Sequence, residues 1–363
     1  MRSPRRFAPR DDGGVLSRDG SKIVGGLSRF GIWHISAIRI TDIHMESVFL
    51  DFATVGAADL DTKPLSSVLP GLVIHDTTTS AQVAARIADA EFVLLNKVRI
   101  GAREMAAARD LRFIGLTATG SDNIDLAAAR ERGIAVCNIR AYCTQSVVEH
   151  VFAVLLNLTH SIGRFHAAVQ EGAWAESDEF CMLDYPIREL SAMTIGIVGH
   201  GDLGSGVAKS AHHFGMQVLI ARRRGAKPDA DDGRVDFDEM LRRADVISLH
   251  CPLTDETRNL IGHRELSMMK KTAILINTAR GGLVDSTALA AALDEGRIGG
   301  AAIDVLPQEP PVDGDPLLEC LSPALIVTPH IAWGTREARQ NGLNQLAECI
   351  AAFRRGERRN RID

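Results

Sequence analysis

The sequence predicts an α/β fold with two doubly wound parallel sheets and a cleft between them. From residue 46 onward, short apolar runs rich in β-branched or aromatic residues alternate with Ala-rich segments, and strand–helix alternation favours parallel sheets covered by helices. A chain of 363 residues exceeds one typical core, so two domains are expected.

The first domain is predicted to contain five strands and three short helices. The strands are expected at Val48–Asp51, Val73–Asp76, Phe92–Asn96, Phe113–Thr117 and Ile134–Cys137. The helices between them are expected at Ser80–Ala90, Ala102–Ala108 and Leu126–Arg132. The next run, Gln145–Val169, is apolar nearly all round, which indicates a long buried helix that leads into the second domain.

The second domain repeats the pattern. Its strands are expected at Thr194–Val198, Gln217–Ala221, Val246–Leu249, Ala273–Asn277, Gly300–Asp304 and Leu325–Val327. The last helix, Thr335–Arg354, is expected to pack back on the first domain. The predicted domains are therefore residues 45–144 plus 330–363, and residues 145–329.

Composition argues against several kinds of partner. The net charge of −5 gives no basic excess for nucleic acid, and no apolar run approaches the roughly 20 residues that span a bilayer. The cysteines show no CxxC and no Cys/His pair at metal spacing, which predicts buried reduced thiols, no metal site and a cytoplasmic location. These cysteines are Cys137, Cys143, Cys181, Cys251, Cys320 and Cys349.

The N-terminal stretch differs from the rest of the chain. It is Arg-rich and lacks sustained periodicity, as in a transit peptide, but it contains several Asp residues, whereas transit peptides are poor in acids. Folded sequence is expected to begin after Met45. Residues 1–44 are interpreted as a disordered or spurious extension.

A glycine-rich turn follows the first strand of the second domain. The strand Thr194–Val198 leads into Gly199, Gly201 and Gly204, and a helical run, Ser205–Phe214, comes next. In this GxGxxG pattern the first glycine permits a tight turn, the second lets the backbone approach a pyrophosphate, and the third lets the helix pack against the strand. The context of strand, turn and helix predicts a dinucleotide site of the Rossmann type, with the pyrophosphate at the helix N-terminus.

The end of the next strand indicates which dinucleotide is bound. An NAD site usually places Asp or Glu there for the ribose 2′-hydroxyl, but this sequence continues after Ala221 with Arg222, Arg223 and Arg224. Guanidinium groups can hold a 2′-phosphate through two bonds, whereas a carboxylate would repel it. The sequence predicts a preference for NADP(H), with NAD(H) possible.

Five motifs together resemble the D-isomer-specific 2-hydroxyacid dehydrogenase family. They are Gly115–Asp125, Gly199–Gly204, His250–Thr254, Asn277–Asp285 and Thr328–His330. The resemblance runs from about residue 46 to the C-terminus. It implies a flavodoxin-like substrate domain opposite a Rossmann domain, and a small 2-keto or 2-hydroxy acid as substrate.

Three residues suit the reduction of a 2-keto acid. Arg280 follows an apolar strand, at the sheet edge where ligands bind, and could hold a carboxylate and polarise the neighbouring carbonyl. His330, directly after another strand, could give a proton to the forming alkoxide. Glu309 lies in a Pro-rich loop, and its carboxylate beside His330 would stabilise the imidazolium and fix its tautomer. The resemblance assigns the same roles to these three positions.

The resemblance also implies contacts for other positions. Besides Gly199, Gly201, Gly204, Arg222 and Arg223, which the nucleotide turn and the following strand predict directly, nicotinamide dinucleotide contacts are expected at Thr144, His200, Asp202, Leu203, Cys251, Pro252, Thr278, Ala279 and Asp304. Asp304 is expected to accept from the nicotinamide carboxamide. Substrate contacts, besides Arg280 and His330, are expected at Asn96, Lys97, Val98, Thr119, Gly120 and Trp333.

Within the family, the run from His330 to Trp333 is similar to glycerate dehydrogenases, also called hydroxypyruvate reductases. The predicted reactions are hydroxypyruvate to D-glycerate and glyoxylate to glycolate, with broad specificity because one methylene is worth only about 1–3 kcal/mol. Phosphoglycerate, D-lactate or phosphonate dehydrogenases remain alternatives, as does a dinucleotide-sensing, corepressor-like binding protein. A homodimer built largely on the second domain and Gln145–Val169 is expected.

Overall fold

The computed structural model describes residues 46–226 and 233–363. The predicted N-terminal extension lies outside these residues. All eleven predicted strands are present in the described ranges, with ends shifted by at most two residues.

The first sheet has five parallel strands in the order β2-β1-β3-β4-β5, which is the flavodoxin-like order. The strands are β1 Glu46–Phe49, β2 Val73–Ile74, β3 Ala90–Leu95, β4 Phe113–Leu116 and β5 Ala135–Cys137. Helices in this part of the chain are α1 Lys63–Val68, α2 Ser80–Ile87, α3 Ala102–Ala107 and α4 Leu126–Glu131. The strand order reverses between β1 and β3, so their carboxyl ends flank the crevice in which such sheets bind ligands.

The second sheet has six parallel strands in the order β11-β10-β9-β8-β6-β7. They are β6 Thr194–Val198, β7 Gln217–Ile220, β8 Val246–Leu249, β9 Ile274–Asn277, β10 Gly300–Ile303 and β11 Leu325–Val327. Its helices are α7 Asp202–His213, α8 Phe237–Arg243, α9 His263–Met268, α10 Ser286–Asp294 and α11 Pro316–Glu319. Here the order reverses between β6 and β8, and beyond β7 the sheet edge carries a parallel bridge between Ala221 and Val235.

The prediction of one long helix at Gln145–Val169 is wrong. The structure has two helices there, α5 Thr144–His160 and α6 Ile162–Gln170. The break is at Ser161, whose φ of +51° lies in the left-handed region and cannot continue a helix. Helix α5 is largely buried, as predicted, but α6 exposes more than half of Ile162. Helical periodicity alone gave no sign of this single left-handed residue.

The C-terminal helix α12 Arg336–Arg354 packs against the first sheet. Leu343, Leu346 and Ile350 are fully buried in one cluster with Phe49 and other side chains of β1, β3 and β4. Helix α12, which follows the last strand of the second sheet, therefore completes the core of the first sheet, as the sequence predicted. Among the described residues, none of the helices has the length and apolar character that crossing a bilayer requires.

Candidate active site

The glycine turn after β6 has the geometry of a close backbone approach. Gly199 has a φ of +93°, and a Cβ there would lie 2.6 Å from the carbonyl carbon of His250. A Cβ on Gly204 would lie 2.0 Å from the Gly199 carbonyl oxygen, so helix α7 can pack here only without a side chain. A Cβ on Gly201 would meet nothing within 4 Å, which leaves this backbone open to a ligand.

Helix α7 begins earlier than predicted, at Asp202 instead of Ser205. Asp202 and Leu203 therefore belong to the first helical turn, and His200 alone lies between the first two glycines. The backbone N–H groups of a first turn have no partner within the helix, and the helix dipole favours an anion there. The turn fits a pyrophosphate.

Two predicted cofactor contacts have unsatisfied hydroxyls. Thr144 Oγ1, at the start of α5, and Thr278 Oγ1, after β9, are buried and have no hydrogen-bond partner among the described residues. A buried hydroxyl usually has a partner, so polar groups of a bound dinucleotide would suit these positions. Ala279, next to Thr278, is buried, and its N–H donates to Asn277 Oδ1 at 3.1 Å.

The three arginines after β7 have different surroundings. Arg222 donates from Nη2 to the Arg234 carbonyl at 3.0 Å, and Arg224 forms an ion pair with Glu265 at 3.0 Å. Arg223 is exposed. The Thr254 hydroxyl and, more weakly, the charge of Arg223 lower the pKa of Glu256. Arg223 therefore lies towards the loop that follows β8.

The loop after β8 carries Cys251 and Pro252, the contacts predicted for the adenosine side. Cys251 is half-buried, and burial raises the pKa of its thiol. The Pro252 carbonyl accepts from Thr257 Oγ1 at 2.8 Å, which fixes the turn. Both residues lie at the strand end next to the glycine turn, because β6 and β8 are neighbours.

Arg280 is held by the turn that follows β9. Asn277 is fully buried, and its amide donates to the Arg280 carbonyl at 2.9 Å. The guanidinium donates to the Ala279 carbonyl at 2.7 Å. It also touches the opposite wall of the cleft, since a Cβ on Gly120 would lie 2.5 Å from Arg280 Nη2. The predicted Gly120 is thus a glycine that leaves room for this cation.

His330 and Glu309 form a pair. His330 Nδ1 donates to Glu309 Oε2 at 2.6 Å, and the other oxygen, Oε1, accepts the Leu306 N–H at 3.0 Å. Burial raises the pKa of Glu309, but the hydrogen bond and charge of His330, the Leu306 N–H and Lys97 lower it further, to below its ordinary value. Because Nδ1 is bonded to the carboxylate, Nε2 is the ring nitrogen left to act on a ligand.

The carboxylate of Asp304 has a structural role that the sequence did not reveal. It is almost fully buried at the end of β10 and accepts from Thr328 Oγ1 at 2.6 Å, from the Ile331 N–H at 2.8 Å and from the Ala332 N–H at 2.9 Å. His330 has a φ of +54°, and its N–H donates to the Asp304 carbonyl at 2.7 Å. Asp304 therefore fixes the backbone of this strained residue.

These groups surround a cavity of about 110 Å³ between the carboxyl ends of the two sheets. Among the predicted residues it is lined by Asn96, Lys97, Thr119, Gly120, Leu203, Thr278, Arg280, Asp304, His330 and Trp333. Lys97 has a pKa below its ordinary value, because burial and the Arg280 charge outweigh the opposing carboxylates of Glu309, Asp51 and Asp122. The cavity is thus small and cationic.

Some predicted substrate residues contribute little of their side chains. Val98 does not line the cavity and packs against the core of the first sheet. The Asn96 amide donates to Thr54 Oγ1 at 3.0 Å, and Thr119 Oγ1 donates to the Ile139 carbonyl at 2.9 Å. Trp333 faces the cavity, and its Nε1 donates to the His330 carbonyl at 2.9 Å.

The sequence did not single out five further residues that line the cavity, namely Ala118, Tyr142, Cys143, Val147 and Ala332. Burial holds the pKa of Tyr142 well above its usual range and raises that of Cys143 to about 11, so both side chains stay neutral. The sequence signal that could have identified these residues was their position next to residues already predicted to bind ligands. Tyr142 and Cys143 directly precede Thr144, and Ala332 lies between His330 and Trp333.

Within the described ranges, no three His, Cys, Asp or Glu side chains come together in a way that could hold a metal ion.

All six cysteines are free. Only Cys137 and Cys349 are buried and the other four are half-buried, so the prediction of buried thiols is wrong for those four.

Comparisons with known proteins identify the family. The family model for the NAD binding domain of D-isomer specific 2-hydroxyacid dehydrogenases matches residues 152–332. A glycerate dehydrogenase of Methylorubrum extorquens is 44% identical over 80% of this chain and 90% of its own length. The chain belongs to the D-isomer-specific 2-hydroxyacid dehydrogenase family. It is therefore an oxidoreductase that acts on CH–OH groups with a nicotinamide dinucleotide.

Other relatives agree with this assignment. A hydroxypyruvate reductase of Blautia hydrogenotrophica is 34% identical over 86% of this chain and 98% of its own length. A crystal structure of a Thermus thermophilus protein superposes with a TM-score of 0.77 at 33% identity, covering 88% of this chain and all of that one. The predicted family and the two-sheet α/β fold are both confirmed.

The pair of Glu309 and His330 yields a prediction about pH. In Glu309→Gln the carbonyl oxygen can still accept from Nδ1, but the charge that stabilises the imidazolium is lost. We expect the pH at which keto-acid reduction declines to shift downward by about 1 unit. Since the pKa of Glu309 lies below its ordinary value, its charge is present at neutral pH and is lost only under more acidic conditions.

The measurement is kcat/KM for reduction between pH 5 and 9, a range chosen to bracket histidine titration. Glu295→Gln is the control, because Glu295 forms an ion pair with Arg297 on the surface. Identical pH profiles for the wild type and Glu309→Gln would contradict the role assigned to this carboxylate.

Proposed function

We propose that this 2-hydroxyacid dehydrogenase is an NADP-preferring reductase of small 2-keto acids, converting hydroxypyruvate to D-glycerate and glyoxylate to glycolate. One observation carries the proposal. The side chains of Arg280, His330 and Lys97 converge on a cavity of about 110 Å³, which suits an acid of a few heavy atoms better than a larger ligand.

The residues divide the chemistry among them. A bound nicotinamide dinucleotide supplies the hydride for the carbonyl carbon. Arg280 holds the substrate carboxylate and polarises the adjacent carbonyl through charge-assisted hydrogen bonds. His330 donates the proton from Nε2 to the carbonyl oxygen, so that one hydride and one proton convert C=O to CH–OH. Glu309 keeps Nδ1 protonated and balances the charge of the imidazolium before transfer.

Lys97 supports hydroxypyruvate in particular. It lies on the first-sheet side of the cavity, close enough to Arg280 for their charges to repel. With the carboxylate on Arg280, a second cationic donor suits the 3-hydroxyl group, which glyoxylate lacks. The names of the relatives, glycerate dehydrogenase and hydroxypyruvate reductase, agree with this substrate.

We expect the wild type to reduce hydroxypyruvate with NADPH, and Lys97→Met to lower kcat/KM for hydroxypyruvate about 10-fold more than for glyoxylate, the effect of losing one charge-assisted bond. The measurement is steady-state kinetics with both acids, pyruvate and 3-phosphohydroxypyruvate. Lys63→Met, on the exposed start of α1, is the control.

Equal losses for both acids would contradict the role of Lys97. A wild type that reduces pyruvate or the phosphorylated acid better would favour the D-lactate or phosphoglycerate alternative. No turnover of any acid with NADPH or NADH would favour the corepressor-like alternative.

The preference for NADP rests on the arginines after β7. No carboxylate follows that strand at the position where NAD sites place one, and Arg222 and Arg223 stand there. Arg224 forms an ion pair with Glu265 on helix α9. The 2′-phosphate of NADP would then lie beside two guanidinium groups at the strand end.

We expect Arg222→Ala combined with Arg223→Ala to raise KM for NADPH about 10- to 100-fold, as expected for loss of charged hydrogen bonds, and to leave KM for NADH nearly unchanged. Initial rates at varied cofactor concentration measure this. Arg224→Ala is the matched control. Equal changes for both cofactors would contradict the proposed phosphate contact.

The exposed surface of residues 162–187 supports assembly into a homodimer. Several large apolar side chains are exposed in the segment that begins with α6. Single exposed apolar residues scattered over a surface are normal, but these follow one another along one segment of the chain. They are Ile162, Val169, Trp174, Phe180, Leu183 and Ile187. A second copy that covers this segment would remove them from water.

The free cysteines further support a reducing, cytoplasmic location.

We expect light scattering to give twice the 39.2 kDa mass of one chain. Phe180→Asp combined with Leu183→Asp should produce monomers, because Phe180 is 88% exposed and Leu183 76% exposed in the single chain. Leu321→Asp, at a residue 93% exposed elsewhere, should leave the mass unchanged. A monomeric wild type would contradict the proposal.

A further inference from the structure

The backbone of the segment Asn96–Val98, which carries Lys97 into the cleft, is held by a side chain outside the proposed chemistry. Asp51 follows β1 and is only 3% exposed. Its Oδ1 accepts the Asn96 N–H at 2.8 Å, and its Oδ2 accepts the Lys97 N–H at 2.6 Å and the Val98 N–H at 2.9 Å. One buried carboxylate thus binds three successive backbone donors.

The carbonyl groups of the same segment are held from the other side. The Asn123 amide donates to the Asn96 carbonyl at 3.2 Å and to the Val98 carbonyl at 2.8 Å. The Asn96 side chain is also engaged, with Thr54 Oγ1 at 3.0 Å. The backbone is therefore fixed on both sides, while the Lys97 side chain remains directed at the cavity.

The fold explains why this carboxylate is available. Strands β1 and β3 are neighbours, so Asp51 after β1 and Asn96 after β3 meet at the same sheet edge. This is the place where the strand order reverses and where ligands bind in such sheets. A neutral side chain could not satisfy three N–H groups equally well, because a carboxylate offers about four acceptor sites and no donor.

We propose that Asp51 is a positioning residue that fixes the Asn96–Val98 backbone and thereby the placement of Lys97 against the substrate. The inference rests on the proposed function, since it concerns how the same cavity selects its acid. Asp51 itself does not line the cavity. Its charge also lies near the Lys97 ammonium and opposes the repulsion from Arg280.

The test is Asp51→Asn, in which the amide NH₂ group would face backbone N–H donors. We expect kcat/KM for hydroxypyruvate to fall about 10- to 100-fold, mainly through KM, because small displacements of a positioning group have effects of this size. The dissociation constant of NADPH, measured by fluorescence titration, should change by less than about 2-fold, because none of the three N–H donors that Asp51 binds belongs to a residue proposed to hold the dinucleotide.

A double-mutant cycle with Lys97→Met separates positioning from general structure. If Asp51 acts through Lys97, Asp51→Asn should cost less than about 3-fold in the Lys97→Met background. An equal loss in both backgrounds, or an unchanged kcat/KM in the single variant, would overturn the proposal. Asn123→Ala, which releases the two carbonyl groups, should show the same dependence on Lys97, and it serves as the test if Asp51→Asn does not fold.

Hydrogen exchange provides a readout that does not need turnover. In Asp51→Asn, amides of the segment 92–100 should exchange faster, while the rest of the first sheet keeps its protection. Unchanged exchange in this segment would overturn the proposal. If the wild type reduces no keto acid while Asp51→Asn still shows faster exchange in this segment, the proposed function alone is overturned.

Asp245→Asn is the matched control. Asp245 is also a buried carboxylate that accepts a backbone N–H, that of Thr194 at 2.9 Å, but it lies at the amino end of β6 and β8. This variant should lose stability and keep kcat/KM within about 2-fold of the wild type, since it is remote from the cleft.

Discussion

The hydrogen bond between His330 Nδ1 and Glu309 Oε2 is the interaction on which the candidate site depends. At 2.6 Å it is charge-assisted, it orients the ring of a residue that lines the cavity, and it leaves Nε2 as the ring nitrogen that can act on a ligand. Both partners are on loops, so the bond exists only if both loops are fixed. Asp304 fixes the His330 backbone, and the Leu306 N–H binds the second oxygen of Glu309.

Buried carboxylates and amides perform similar tasks around the cleft. Asp304 holds the segment of His330, Asn277 holds the turn of Arg280, and Asp51 holds the segment of Lys97. Each lies at the carboxyl end of a parallel strand, where backbone groups leave the sheet ladder and need new partners. Rigid loops of this kind let the cations Arg280 and Lys97 approach one another despite their repulsion, and thus define a small site before the substrate binds.

Much of this architecture could be predicted from the sequence. Short apolar runs rich in β-branched or aromatic residues identified all eleven strands. The GxGxxG pattern after Val198 identified the nucleotide turn because a strand precedes it and a helix follows it. The break at Ser161 was missed, since one left-handed residue leaves no trace in helical periodicity. The roles of Asp51 and Asn277 were missed because a polar residue after a strand is common, and only its partners reveal its task. The predicted domain limits, residues 45–144 plus 330–363 and residues 145–329, remain a prediction.

The two parallel sheets, the nucleotide turn and the family could be predicted from the sequence, because each leaves a local pattern of residue types. The three residues proposed to reduce a keto acid are predicted from the same kind of pattern. The packing of the folded chain was needed to show that Arg280 lies against Gly120, that Lys97 joins it from the other sheet, and that Val98 turns away into the core. Those relations join residues far apart in the chain, and they depend on strand order and packing, which no local pattern encodes.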